Sequence, residues 1–365
     1  MRVFLVAGAR PNFMKIAPIY RESLNRSGVN CRIVHTGQHY DHLMSQTFIE
    51  ELEIPQPHHF LNSGSGTHSV QTARIMVGFE AACLEEHPDL VMVVGDVNST
   101  LACSVTAKKL GIPVAHVEAG LRSFDLSMPE EINRMVTDSI SDWFFVTEES
   151  GVENLLREGK KREAVHFVGH VMIDNLLHQL KRLEETDVRE FPVHRLKETL
   201  GDYAFLTLHR PGNVDTPERL REIASALDAI AEDRPILFPV HPRTRQRMES
   251  FGLKLSPRIN RLPPLGFMES LYLWKDATVV LTDSGGLQEE TTALGVPCMT
   301  LRENTERPIT LEMGTNILAG TRRESILDAY RKTLERRNLP RAVPPLWDGK
   351  ASQRIWEALG NGASG

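Results

Sequence analysis

The chain has 365 residues, 41% of them hydrophobic and 25% charged, with a formal net charge of −6. That length and mixture point to two domains of ordinary soluble composition. The negative balance argues against a nucleic-acid binder, which normally carries a basic patch and a high pI. No apolar run approaches the roughly eighteen residues of a membrane span. The first strand begins at Arg2-Val3, leaving no room for a signal peptide, so the protein is expected in the cytoplasm. Cys31, Cys83, Cys103 and Cys298 lack metal-ligand spacing and read as core thiols.

Short apolar strands alternate with helical stretches from the start: strands over 3–7 and 32–36, helices over 12–25, 42–52 and 67–86. This is the α/β signature. The first strand ends in Gly8-Ala9-Arg10-Pro11-Asn12, with Lys15 one turn into the helix. The pattern does not match G-x-G-x-x-G, so no nicotinamide site is expected. Arg10 and Lys15 stand where helix N–H groups and the dipole favour an anion. The plainer reading makes both of them solvated surface cations.

The stretch from Gly95 to Arg134 carries the densest chemistry. Residues 89–94 form the continuous apolar run of a strand buried on both faces of a parallel sheet. Asp96 then falls at the strand's carboxyl end, outside which ligands bind in open α/β sheets. A second run, 113–117, delivers Glu118 in the same way, before Ala119-Gly120. Glu130 opens a helix after Ser127-Met128-Pro129, with Glu131 and Arg134 following on one side. Three carboxylates so placed suit acid and base chemistry. Two of them also have structural readings: Ser127 and Glu130 fit a capping box, and Asp96 fits the cap of the next helix. Glu118 is harder to dismiss, because charged residues at such a buried position are rarely idle.

Strands over 143–146 and 165–168 and a helix over 171–185 complete this series. A polar passage over 181–202, with Pro192 inside it, reads as the linker. The second series has strands over 203–208, 236–240, 278–281 and 297–300, and ends in a helix over 326–335. His209 and His241 follow strands, and histidine titrates near neutrality and hydrogen-bonds phosphate. Asp283-Ser284-Gly285-Gly286 follows another strand and opens a helix. There two glycines let a diphosphate approach the backbone amides, Ser284 adds a hydroxyl and Glu290 can reach ribose hydroxyls. Tight helix packing is the competing explanation of the glycines. Arg307 can pair with a phosphate bidentately.

Taken together, the chain resembles the non-hydrolysing UDP-N-acetylglucosamine 2-epimerases. The motifs that agree in order and spacing are Gly8-Ala9-Arg10-Pro11 with Lys15, Gly95-Asp96, His116-Val117-Glu118-Ala119-Gly120-Leu121-Arg122, Pro129-Glu130-Glu131-Ile132-Asn133-Arg134, His209-Arg210, Asp283-Ser284-Gly285-Gly286 with Glu290, and Thr305-Glu306-Arg307-Pro308. The resemblance implies a GT-B fold, two Rossmann-like α/β/α domains facing across a deep cleft, and usually a homodimer. It implies an N-terminal domain over 1–180 carrying the carboxylates and a UDP-binding domain over 181–365, with the final helix free to pack back on the first. It assigns Asp96, Glu118, Glu130 and His209 to catalysis, and Arg10, Lys15, Arg134, His241, Ser284, Gly285, Gly286, Glu290 and Arg307 to the substrate. The reaction implied is reversible C2 epimerisation through 2-acetamidoglucal and UDP, with no metal or other cofactor.

The pattern departs from the family at three places. Asn12 stands where many members have an acid, and Gly212 where many have Glu. Gln38-His39-Tyr40-Asp41 differs from the segment of bacterial members activated by their own substrate. The neighbouring possibilities are a UDP-2,3-diacetamido-uronate 2-epimerase, for which Arg122 and Arg243 offer a partner to the C6 carboxylate, a hydrolysing epimerase, and a GT-B glycosyltransferase.

Overall fold

The structure is a computed structural model and describes residues 1–37, 46–336 and 342–362. The segment Gln38-His39-Tyr40-Asp41 lies outside the described residues. The chain divides into two units: Met1–Leu177 with Pro345–Gly365, and His178–Pro344.

In the first unit, β1 (Arg2–Ala7), β2 (Asn30–His35), β3 (His59–Phe60), β4 (Leu90–Val94), β5 (Val114–Val117), β6 (Trp143–Val146) and β7 (Val165–Phe167) form one sheet in the order β3-β2-β1-β4-β5-β6-β7. All neighbours are parallel. Along β1, Val3, Leu5 and Ala7 pack with Phe13 and Ile16 of the helix Arg10–Ser23, whereas Phe4 and Val6 pack with Ile75 and Phe79 of the helix His68–Glu86. Burial on both faces is why these strands read as unbroken apolar runs.

The helix Ala351–Gly362, beyond the last helix anticipated from the sequence, belongs to this unit. Its Ala351, Ile355, Trp356 and Leu359 join the same core as Phe13 and Ile16. Trp356 Nε1 donates to Ile19 O at 2.9 Å. Buried Asp174 accepts from Ala351 N at 3.0 Å and Ser352 N at 2.7 Å, and from the Ser352 hydroxyl, so one carboxylate satisfies the first amides of the helix.

The second unit repeats the plan with β8 (Ala204–Thr207), β9 (Ile236–Pro239), β10 (Ile259–Leu262), β11 (Val279–Thr282), β12 (Cys298–Thr300) and β13 (Asn316–Leu318), ordered β10-β9-β8-β11-β12-β13. These strands are also parallel. The edge strands β10 and β13 are absent from the sequence expectations, because an edge exposes polar residues such as Arg261 and breaks the apolar run. In each unit the winding reverses at one point, between β1 and β4 and between β8 and β11, and the carboxyl end of such a point is where ligands bind.

Among the described residues no helix is long and apolar enough to cross a membrane. The four cysteines are buried free thiols. Burial pushes Cys31 up to about 11 and Cys83 and Cys298 up to about 12, which keeps them protonated and unreactive.

Candidate active site

At the reversal point of the first unit, Gly95 leaves β4 with φ +68, and a Cβ there would stand 3.0 Å from Lys15 Nζ, 3.5 Å from Glu118 Oε2 and 3.6 Å from Asn12 Nδ2. Glycine therefore meets both needs at once, the left-handed turn and the space into which three side chains converge. Lys15 pairs with Glu118, the two side chains being 12% and 5% exposed. Asn12 fixes the base of the cluster: its Oδ1 accepts from Gly8 N at 3.3 Å and Ala9 N at 3.0 Å, and its Nδ2 donates to Val94 O at 3.2 Å. An aspartate could not make that last bond. The amide thus ties the tip of β1 to the tip of β4. Arg10 is exposed, with its guanidinium 4.5 Å over the Phe48 ring.

Asp96 does not cap the next helix, whose N-cap is Val97 without a side-chain bond. Its Oδ2 accepts instead from Arg134 Nη2 at 2.8 Å and Nε at 3.1 Å, while Asn133 Nδ2 donates to its carbonyl at 2.8 Å. The capping box is absent too. The helix Pro129–Ile140 has Met128 as N-cap, and the Ser127 hydroxyl turns to Asp125 Oδ1 at 2.6 Å. Glu131 does the structural work at this helix start. Fully buried, it accepts from Ser123 N at 2.9 Å, Phe124 N at 3.1 Å and Arg134 Nη1 at 2.9 Å. Glu130 is exposed, and among the described residues nothing holds its carboxylate.

Glu118 takes φ +69, a left-handed conformation uncommon for a residue with a Cβ and a form of strain that clusters at functional sites. Its surroundings hold it there. Glu118 N and Ala119 N both donate to Phe145 O, at 3.0 and 3.2 Å. Gly120 follows at φ +80, where a Cβ would come within 2.3 Å of Gly151 O. Beneath, both ring nitrogens of fully buried His116 face acceptors, Gly95 O at 2.8 Å and Asp138 Oδ1 at 2.7 Å. The other Asp138 oxygen receives Gly120 N at 3.0 Å and Arg122 Nη2 at 2.8 Å. Burial pushes the Asp138 carboxyl up, but His116 and Arg122 together hold it below its ordinary value. This network locks the tips of β4 and β5 together. Sequence reasoning missed it because His116 lies inside an apolar run.

In the second unit, His209 follows β8 and Asp283 follows the neighbouring β11. Fully buried Asp283 collects His209 Nδ1 at 3.0 Å, His209 N at 2.9 Å, Arg210 N at 2.8 Å and Asn213 Nδ2 at 3.2 Å. Burial alone raises its carboxyl, and His209 and the two amides bring it below its ordinary value. His241 is the N-cap of the helix Pro242–Ser250, its Nδ1 accepting from Arg243 N at 3.2 Å. Its ring lies 5.7 Å from that of His209. Burial, then the neighbouring His209, lowers the His241 imidazole below its ordinary value.

Ser284 is the N-cap of the helix Gly285–Leu294 but makes no side-chain cap bond. A Cβ on Gly286 would meet nothing within 4 Å, and one on Gly285 only Arg210 Nη2 at 3.9 Å. Tight packing therefore does not account for these glycines; they leave the helix amides open to a ligand. Further along, Gln288 Oε1 takes Thr305 Oγ1 at 2.6 Å and Asn316 Nδ2 at 3.2 Å, pinning the loop that carries Arg307. Arg307 Nε lies 2.6 Å from Glu289. Glu290 is buried, and desolvation followed by the nearby Glu289 pushes it up to about 8.

The model of the UDP-N-acetylglucosamine 2-epimerase family matches residues 21–360. The UDP-N-acetylglucosamine 2-epimerase of Methanocaldococcus jannaschii is 44% identical over 98% of this chain and 99% of its own. The UDP-2,3-diacetamido-2,3-dideoxy-D-glucuronate 2-epimerase of Pseudomonas aeruginosa is 39% identical over 98% of this chain and 99% of its own. A crystal structure of the M. jannaschii UDP-GlcNAc 2-epimerase in complex with UDP-GlcNAc and UDP superposes with a TM-score of 0.86, at 43% identity, covering 99% of this chain and 100% of that one. With two parallel sheets of the same winding and this match along nearly its whole length, the chain belongs to the UDP-N-acetylglucosamine 2-epimerase family.

Proposed function

We propose that this protein interconverts UDP-N-acetylglucosamine and UDP-N-acetylmannosamine by eliminating and re-adding UDP. The C2 proton is barely acidic, so its removal is coupled to cleavage of the C1–O bond. The electron pair of C2–H becomes the C1–C2 double bond of 2-acetamidoglucal, and the diphosphate oxygen takes the other pair. In the return step the oxygen re-forms the bond to C1 and a proton arrives on the opposite face of C2. Acids and bases are then needed on both faces. The observation that carries the reading is the group Asp96, Glu118 and Glu130. The first two follow the adjacent strands β4 and β5 and are held by Arg134 and Lys15, while Glu130 has no partner among the described residues.

Asp96, Glu118 and Glu130 serve the sugar, with Arg10, Lys15 and Arg134 setting the local charge. The diphosphate meets His209, His241, Ser284, Gly285, Gly286 and Arg307, and Glu290 meets the ribose. Amides and cations aimed at the departing diphosphate lower the same barrier as the acids and bases. The setting is a cytoplasmic supply of activated sugars for polysaccharide synthesis.

Proton NMR of the protein with UDP-N-acetylglucosamine in deuterated water tests the reaction. The expected product is UDP-N-acetylmannosamine with deuterium at C2. Steady accumulation of UDP would indicate hydrolysis instead. Exchange confined to the diacetamido-uronate would move the assignment to that substrate. Against that alternative, both cations suited to a C6 carboxylate are engaged: Arg122 with Asp138 and Glu158, and Arg243 with Asp215.

The homodimer is supported by an apolar stripe facing outward on the helix His68–Glu86, where Val70, Val77 and Leu84 recur every seventh residue at 44%, 70% and 56% exposure. Ile132, Met135 and Val136 are likewise exposed on the helix Pro129–Ile140. Exposed apolar patches of this kind mark interaction surfaces. Val77→Glu with Leu84→Glu is expected to halve the mass seen by light scattering. A wild type that is already monomeric, or a double variant that keeps the wild-type dimer, would remove the proposal.

A further inference from the structure

His209 and His241 of the second unit are held in opposite tautomers. His209 Nδ1 lies 3.0 Å from Asp283 Oδ1, and an ionised carboxylate only accepts, so this nitrogen carries the proton and Nε2 is left to gain or lose one. His241 Nδ1 accepts the Arg243 amide, so its proton sits on Nε2. A second proton on His241 would break the helix cap and meet the positive end of a helix and Arg243. A second proton on His209 would instead be matched by the buried carboxylate beneath it.

We propose that Asp283 is a positioning residue that fixes His209 as the Nδ1–H tautomer, so that His209 Nε2 exchanges a proton with the leaving diphosphate oxygen while His241 remains a neutral donor. The inference rests on the functional reading above. As C1–O breaks and its electron pair moves to the β-phosphate oxygen, the Nε2 proton of the imidazolium passes to that oxygen. In the return step Nε2 takes it back as the oxygen attacks C1. Asp283 stays ionised throughout, orienting the ring and stabilising its charged form, as the carboxylate does in hydrolytic triads. Among the described residues, the titratable groups that lie against the His209 ring are Asp283 from the tip of β11 and His241 from the tip of β9, and Arg210 is its chain neighbour. Arg210 Nη1 lies 4.0 Å from Glu306. Asp215, with Arg243 and Arg247, forms a separate ion cluster beyond His241.

Asp283→Asn separates orientation from mere charge. The Asn oxygen can still accept the His209 and Arg210 amides, but its NH₂ group then faces Nδ1 and drives the ring to the Nε2–H tautomer. Nitrogen-15 NMR of the full chain, with His209 assigned by His209→Gln, should show Nδ1–H in the wild type and Nε2–H in Asp283→Asn. The variant should lose about 10²–10⁴-fold in kcat with little change in KM. In a His209→Gln background the same change should cost almost nothing more, because Asp283 then has no ring to orient. A neutral His209 ring with Nε2–H and a bare Nδ1 in the wild type would overturn the proposal without need of any variant. So would a further tenfold loss from Asp283→Asn in the His209→Gln background. The tautomer measurement requires no turnover. Absence of epimerase activity in the wild type would therefore sink the functional reading alone, and the pairing would stand or fall on the spectrum.

Discussion

Glu130→Gln is expected to lower kcat by about 10²–10⁴-fold, or roughly 3–5 kcal/mol in the barrier, with the melting temperature almost unchanged. The separation of the two effects follows from its place in the helix. As the second residue of Pro129–Ile140 it caps nothing, because the N-cap is Met128 and the structural carboxylate is Glu131, one position on. An amide at position 130 thus removes a group that can move a proton without removing one that supports the fold. Differential scanning calorimetry beside initial rates makes the comparison. A variant that kept more than about a third of wild-type turnover would show that Glu130 moves no proton in a rate-limiting step.

Glu118→Gln should damage both activity and stability. The Lys15–Glu118 pair is nearly inaccessible to solvent, and removing one partner of a buried pair typically costs about 3–5 kcal/mol, because the other charge is left uncompensated. The loss in kcat should again be about 10²–10⁴-fold. Lys15→Met in combination with Glu118→Gln distinguishes the two losses. The double variant should recover much of the melting temperature, since no lone charge remains, and none of the activity. Recovery of activity with the stability would contradict the role of Glu118 in proton transfer, and failure of the stability to recover would contradict the charge account of the pair.

Much of the framework was legible because burial on both sheet faces leaves a plain mark. The runs that became β1, β4, β5 and β11 read as strands, and the residues after them as site candidates. What escaped was held by contacts between distant segments. Nothing in the order of residues says that His116 spans from Gly95 to Asp138, or that Asp283 collects the turn at His209. The tie between Ser127 and Glu130 was a local pattern that fitted a capping box, and the fold overrode it by placing Pro129 first in the helix. Strands as short as His59–Phe60 carry too few residues to show a period. The helix Ala351–Gly362 has few apolar residues beyond its buried face, and Ala351, Ile355 and Leu359 at helical spacing are a faint mark in so short a stretch.

That last helix has a consequence for the order in which the protein can be made. Domains generally fold as units while the chain emerges from the ribosome, the N-terminal one first. Here the second unit is a continuous stretch, His178–Pro344, whereas the first draws on Pro345–Gly365 as well as Met1–Leu177. While the second unit is being synthesised, Phe13, Ile16 and the Ile19 carbonyl still await Trp356 and its neighbours, and Asp174 awaits the amides of Ala351 and Ser352. The first unit begins earlier and closes later, so a nascent chain halted before residue 351 carries an exposed strip of core, a substrate for chaperones or proteases that the finished protein does not offer.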